Sequence, residues 1–288
     1  MREILGLSSV KNFFDGFILD LWGLIHDGVS PYKGVIDTFV ALKNNNIETV
    51  LLSNAPRRSS TLIDGMQKMG IDRSLYGEIF SSGEATWQAI VQKDDPFFSS
   101  LGDNVYHLGP ERDNSLIEET RLKKVNSLRK ADFILNTGPI KFNHNIENYD
   151  SILQEAINEK LPMVCANPDE IVIRDGCKII CAGLIAKKFK KMGGNVIYRG
   201  KPDPMIYDLA IKKLNCTNKD RVAIIGDSLE TDIAGAKAAN LKSIWCTGGI
   251  HAEELNVTYG QPASLISAEH LANQKDLNPW AIIPGFFW

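Results

Sequence analysis

Little in this chain points to an oxidising compartment, a membrane or a polyanionic partner. Its five cysteines, Cys165, Cys177, Cys181, Cys216 and Cys246, are odd in number, form no CxxC and include none paired with histidine at metal-site spacing. That excludes a legible disulfide framework or zinc site and leads us to expect reduced thiols in the cytoplasm. No apolar run approaches the roughly 20 residues of a membrane-spanning helix. The first residues lack a basic segment followed by an apolar stretch and a small-residue cleavage site. A net charge of −3, with acids and bases interspersed, leaves no footprint for nucleic acid or an anionic bilayer. The basic run Lys187-Lys188-Phe189-Lys190-Lys191 has helical spacing and reads as a solvated face. GxGxxG is missing, and Gly200-Lys201 ends no P-loop, because Asn195 occupies the first glycine position and Pro202 replaces Ser/Thr.

What is present is an ordinary globular composition, 44% hydrophobic and 23% charged over 288 residues. That length suits one large domain or two modest ones. Short apolar strands alternate with amphipathic helices. FILDLW leads to a helix near Val35–Lys43, and ETVLLSN to one near Ser59–Met69, with Leu62, Ile63, Met66 and Met69 on one face. EIFSS leads to a helix near Glu84–Gln92. Further on, NVIYRGKP precedes a helix near Pro204–Leu214, RVAIIGDS one near Thr231–Ala239, and KSIWCTGG follows. VLLSN and RVAIIGDS are continuously apolar, as strands covered on both faces should be. The pattern predicts a parallel sheet with helices on both sides. The middle, from Asp103 to Gly193, has its own strands, a helix near Ile146–Asn158, and EIVIRDGCKII, a hairpin turning at Asp175-Gly176. It reads as a smaller α/β unit inserted into the first: 1–100 and 194–288 around 101–193. The apolar tail NPWAIIPGFFW is expected to pack on the core.

Ligands of open parallel sheets bind beyond the carboxyl ends of the strands. Those ends carry Asp20, then Ser53-Asn54, then Lys201, then Asp227 with Asp232 one turn later. Phosphoryl transfer asks for this combination. A carboxylate attacks phosphorus, a Mg²⁺ ion held by other carboxylates permits one anion to approach another, and a lysine offsets charge on the transferring oxygens. A hydroxyl and an amide then orient those oxygens. Singly, each residue has a plainer reading as an Asx turn, loop start or first-turn acid.

The ordered set resembles the haloacid dehalogenase-like (HAD) hydrolases, and among them the class IIA cap group of NagD-type and pyridoxal phosphate phosphatases. DLWGLIHDG, LLSNAPR, RGKPDP and IGDSLETDIAGA look like that group's four motifs, and SSGEATWQAI and CANPDE like its hinge and cap patterns. The resemblance implies a Rossmann-like doubly wound α/β core with an inserted, smaller α/β cap of the class IIA type, and Mg²⁺ as cofactor. It implies Asp20 as nucleophile and metal ligand, Ser53 and Asn54 as phosphate binders, and Lys201 as charge neutraliser. Asp227 and Asp232 would hold the metal together with the Trp22 carbonyl, and Asn167, Pro168 and Asp169 would meet the substrate. The partner would be a small phosphorylated metabolite. By analogy with relatives that pair through the cap, a homodimer is expected.

One member of the pattern is absent. Most such phosphatases carry a second Asp two residues after the nucleophile, where this chain has Trp22. Loss of a general acid/base typically costs about 10²–10⁴ in rate. Three readings stay open: a phosphatase for leaving groups needing little protonation or with His26, Asp27 or a cap residue as substitute; a phosphometabolite-binding sensor; or a metal-independent 2-haloacid dehalogenase. Trp22 also reads as a wall that excludes water or stacks a ring.

Overall fold

The computed structural model describes residues 1–288 except Asp94, Asp175 and Thr217. In chain order its strands are β1 (Arg2–Glu3), β2 (Gly16–Leu19), β3 (Glu48–Ser53), β4 (Ile79–Ser81), β5 (Asn104–Leu108), β6 (Lys123–Lys124) and β7 (Phe133–Asn136). They continue as β8 (Met163–Cys165), β9 (Ile171–Arg174), β10 (Cys177–Ile180), β11 (Val196–Tyr198), β12 (Val222–Gly226), β13 (Lys242–Cys246) and β14 (Ala281–Ile283). The helices are α1 (Val35–Asn44), α2 (Ser59–Lys68), α3 (Ser82–Gln92), α4 (Pro96–Ser100), α5 (Asp150–Asn158), α6 (Ala182–Lys191), α7 (Pro204–Lys213), α8 (Ala234–Ala238) and α9 (Leu265–Gln274).

Among the described residues these strands make a seven-stranded sheet, β1-β14-β13-β12-β2-β3-β4, and a five-stranded one, β11-β8-β7-β5-β6. Every pair in both runs parallel. In the larger sheet the chain leaves β2 toward β3 and β4, then returns on the other side through β12 and β13. The order therefore reverses between β2 and β12, where an open sheet presents a crevice. The strands flanking that crevice are buried throughout, which requires cover on both faces. One face packs Phe14, Phe17, Phe39 and Phe286, and the other packs Tyr207, Ile206 and Ile211 of α7 against Ile18 and Ile224.

The smaller sheet has α5 and α6 on one face, through Leu153, Ile185 and Phe189. On its other face lie Ala89 and Ile90 of α3 and Phe98 of α4. Two segments thus sit differently from the sequence reading. NVIYRGKP was expected to begin the returning part of the larger unit, but Val196–Tyr198 pairs with β8 in the smaller sheet. Helix α3 also packs there. An apolar strand shows that it is covered but not which of two parallel sheets it joins. The polar stretch after β5 forms a 3₁₀ turn at Glu111–Leu116. The hairpin is present as the antiparallel pair β9–β10. Asp175, expected at its tip, lies outside the described residues, and Gly176 has φ +71°. Among the described residues no helix is long and apolar enough to cross a membrane.

Candidate active site

The two strands at the topological switch each end in an acid. Asp20 follows β2, and its backbone N–H donates to the Ile225 carbonyl at 2.9 Å, extending the ladder to the crevice rim. Asp227 follows β12, and its carboxylate accepts the Ile250 N–H at 2.7 Å. One turn later Asp232 lies in a π-helical turn, Leu229–Ile233, and accepts the Ser228 N–H at 3.2 Å. Carboxylate oxygens of all three acids lie within 4.8 Å of one another. Gly23 (φ +83°) makes this possible, because a Cβ there would overlap the Asp227 carboxylate.

Lys201 enters from the loop after β11. Its Nζ donates to Asp20 Oδ1 at 2.5 Å and to Asp232 Oδ1 at 2.7 Å. Burial disfavours its charge, but Asp20 and Asp232 together hold its pKa well above the usual lysine range. Burial pushes Asp20 up to about 7, reinforced by Asp232 and opposed by Lys201. Asp227 is raised for the same first reason, with Asp20 and Asp232 adding to it. Three buried carboxylates share one ammonium, so burial first and mutual repulsion second raise Asp20 and Asp227.

Ser53 ends β3, the strand beside β2, and Asn54 follows it. Ser53 Oγ accepts the Ala55 N–H at 3.2 Å, leaving the hydroxyl hydrogen to donate elsewhere. The Asn54 side chain, expected to bind phosphate, is occupied. Its Oδ1 accepts the Lys201 N–H at 2.8 Å, and its Nδ2 donates to the Lys201 carbonyl at 3.1 Å and to Asp169 Oδ1 at 2.8 Å. Asn54 therefore clamps the backbone that carries the lysine and ties it to the smaller unit. Asn167 Oδ1 accepts the Asp169 N–H at 3.0 Å. Asp169 has a raised pKa, from burial first, opposed by Lys201. Pro168 fits closely: its carbonyl lies where a Cβ at Gly183 would clash.

Residues 17–123 match a family model described as haloacid dehalogenase-like hydrolase, and residues 198–273 match one described as HAD-hydrolase-like. The chain belongs to the haloacid dehalogenase-like hydrolases. It is 26% identical to ribonucleotide monophosphatase NagD of Escherichia coli (strain K12) over 252 residues, 84% of this chain and 89% of the relative. It is 24% identical to phosphoglycolate phosphatase 2 of Arabidopsis thaliana over 273 residues, 87% and 89% of the two chains. A haloacid dehalogenase-like hydrolase from Brucella suis 1330 has a similar fold, with TM-score 0.82, 24% identity and 98% and 99% coverage.

In this hydrolase Trp22, two residues after Asp20, is tied to the smaller unit. Trp22 Nε1 donates to the Ile173 carbonyl at 2.6 Å, joining the strand-end loop to β9 of the hairpin. Gly28 (φ +86°) leaves room for the ring, since a Cβ there would overlap the indole. The two nearby candidates for the missing proton are held in the same turn. His26 is buried, its pKa pushed down to about 4 by that burial, and its Nδ1 accepts the Gly28 N–H at 3.0 Å. Asp27 Oδ1 accepts the Val29 and Ser30 N–H groups, both at 2.8 Å. Burial alone would raise the Asp27 pKa, but those hydrogen bonds hold it below the usual carboxylate range.

A cavity of about 170 Å³ lies between the two units, bordered by Trp22, Ser53 and Asp169. Its lining also includes Arg57, Arg112, Asp113 and Arg174, none of which the motifs singled out. Arg57 was within reach of the sequence reading, closing the quoted LLSNAPR. Arg112 and Arg174 look like ordinary surface charges until the fold brings them together.

Proposed function

We propose that this hydrolase is a Mg²⁺-dependent phosphatase of a small phosphorylated metabolite, working through an aspartyl-phosphate on Asp20. The observation that carries the reading is the Asp20–Lys201–Asp232 contact, with Asp227 inside the same cluster of acids. The names of the NagD and phosphoglycolate phosphatase relatives support phosphate monoesters as the substrate class. The smaller unit would close over the substrate as a cap, and the free cysteines suit the cytoplasm.

The donor set fits a divalent cation. Asp20, Asp227 and Asp232 offer hard carboxylate oxygens, the choice of Mg²⁺, and Lys201 is the one cation that the pairings above set among them. With the Trp22 carbonyl they would hold the ion, which when bound would supply positive charge to the phosphoryl oxygens. The chain's own residues do the rest. An Asp20 carboxylate oxygen attacks phosphorus; the ester P–O bond breaks and its electron pair leaves with the alcohol oxygen. Lys201 offsets charge on the transferring oxygens, and the Ser53 hydroxyl donates to one of them. Water then attacks phosphorus of the acyl-phosphate, the Asp20 O–P bond breaks with its electron pair returning to the carboxylate, and inorganic phosphate leaves carrying the water's proton. Trp22 transfers no proton, His26 is neutral at pH 7, and Asp27 stays ionised. That favours aryl or acyl phosphates, whose leaving groups need little protonation.

The test is phosphate release from aryl, acyl and alkyl phosphates in Mg²⁺ and in EDTA, with Asp20→Asn as control. The expected result is Mg²⁺-dependent release, fastest on aryl and acyl substrates, that falls to background in the variant. Identical rates for wild type and Asp20→Asn on every substrate would overturn the enzymatic reading and favour a binding protein. Chloride release from 2-haloacids in EDTA would favour the dehalogenase.

A further inference from the structure

Three guanidinium groups from distant parts of the chain border the cavity that reaches Ser53. Arg57 comes from the loop after β3, Arg112 from the 3₁₀ turn at Glu111–Leu116, and Arg174 from the end of β9. Arg112 Cζ and Arg174 Cζ lie 4.3 and 4.9 Å from the centre of the Phe142 ring, so one aromatic ring holds both. Their shared counter-charge is small. Asp113, almost wholly buried, accepts the Arg57 Nε–H at 2.8 Å and stands 3.9 Å from Arg112 Nε. Burial draws the Arg112 pKa below the ordinary arginine value, and the charges of Arg57 and Arg174 add to that effect while Asp113 opposes it. The other acid on the wall, Asp169, is hydrogen-bonded by Asn54, which clamps the Lys201 backbone at the phosphoryl end.

Like charges gather in a cavity at a cost in Coulomb energy that an anionic ligand relieves. Planar guanidinium forks suit carboxylate and phosphoryl oxygens, which they can hold in pairs. At about 170 Å³, the space is below the roughly 300–1,000 Å³ of pockets for drug-sized ligands. We propose that the substrate is a short phosphomonoester whose far end carries a second anionic group, a carboxylate or another phosphoryl group, bound by Arg112 and Arg174. The proposal rests on the phosphatase reading for its phosphoryl end only.

Glycerol 3-phosphate, 3-phosphoglycerate and glycerol 1,3-bisphosphate share a three-carbon frame and differ at the far end: hydroxyl, carboxylate or phosphate. For wild type, kcat/KM on at least one doubly anionic probe should exceed that on glycerol 3-phosphate by about 10- to 100-fold, the size of one or two charge-assisted hydrogen bonds. The difference should lie mainly in KM. In Arg112→Gln and Arg174→Gln the ratio should collapse toward one, whereas a merely structural role would lower all three rates and keep the ratio. Which doubly anionic probe is preferred separates carboxylate from phosphoryl recognition. Affinities for the same three compounds are measured calorimetrically on Asp20→Asn with Mg²⁺, so the proposal is tested even without turnover. Discrimination in binding with no phosphate release would remove the phosphatase reading alone. Equal affinities, or no measurable affinity for either doubly anionic probe, would overturn the second-anion proposal.

Discussion

His26 is buried beside the Trp22 indole, their ring centres 5.6 Å apart, and a proton placed on it loses most of its hydration. Its pKa falls from 6.5 to about 4 on folding. Between those values the unfolded chain binds more protons than the folded one. His26 therefore contributes stability that is fully present above pH 6.5 and is lost as pH falls toward 4, on the order of 3 kcal/mol. An asparagine can accept the Gly28 N–H without titrating. In His26→Asn the urea midpoint should fall less between pH 7 and pH 4.5 than in wild type, by the equivalent of about 1–3 kcal/mol. Part of the slope should survive, because burial also holds His107 down to about 4. Parallel pH profiles for the two proteins would show that His26 is protonated equally in both states.

At the scale of elements, the hairpin β9–β10 is a two-stranded ribbon, and such ribbons are marginal unless anchored. The Trp22 indole N–H, 2.6 Å from the Ile173 carbonyl, is an anchor from outside the ribbon. Trp22→Phe keeps an aromatic ring and removes the donor. The loss of one partly buried hydrogen bond, about 0.5–1.5 kcal/mol, should be local. Amides of residues 171–180 should then exchange about two- to tenfold faster, with those of β2 and β3 unchanged. Unaltered exchange in the hairpin would mean that β9 is held by its other contacts. The hairpin was legible in EIVIRDGCKII because an Asp-Gly pair between two apolar runs is a local signal. The helices read from apolar spacing at Val35–Lys43, Ser59–Met69 and Pro204–Leu214 also lie within a residue of their observed bounds. The strand Val196–Tyr198 was placed with the wrong sheet because choosing a parallel neighbour is a long-range event. The acids and Lys201 could be picked out because each falls at the end of an apolar strand or within a turn of it, inside a motif. The clamp by Asn54 and the gathering of Arg57, Arg112 and Arg174 were not, since each joins segments far apart in the chain.

At the scale of the whole molecule, the larger sheet is completed by the last residues of the chain. β14 lies between β13 and β1, and the Leu7 N–H donates to the Phe287 carbonyl at 2.8 Å, so the two chain ends close on each other. Beyond β14, Phe286 is fully buried, edge-on to Phe39 with ring centres 5.1 Å apart. Its carbonyl accepts the Thr38 hydroxyl at 3.0 Å. The expectation that NPWAIIPGFFW covers the core holds in this form, as a strand followed by an aromatic plug. Phe286→Ala would open a cavity in the core against Phe39 and should destabilise the fold by about 3–5 kcal/mol. Ending the chain at Pro279 would do more. It strips β13 of one of its two neighbours, leaves β1 unpaired, and exposes the backbone of Ile244 and Trp245 along a new sheet edge, which invites pairing between chains. The full chain should therefore unfold at a markedly higher urea midpoint than Phe286→Ala, while the shortened chain should run as aggregate in size-exclusion chromatography. A shortened chain that stays monomeric with an unchanged midpoint would show that the sheet is complete without its last strand.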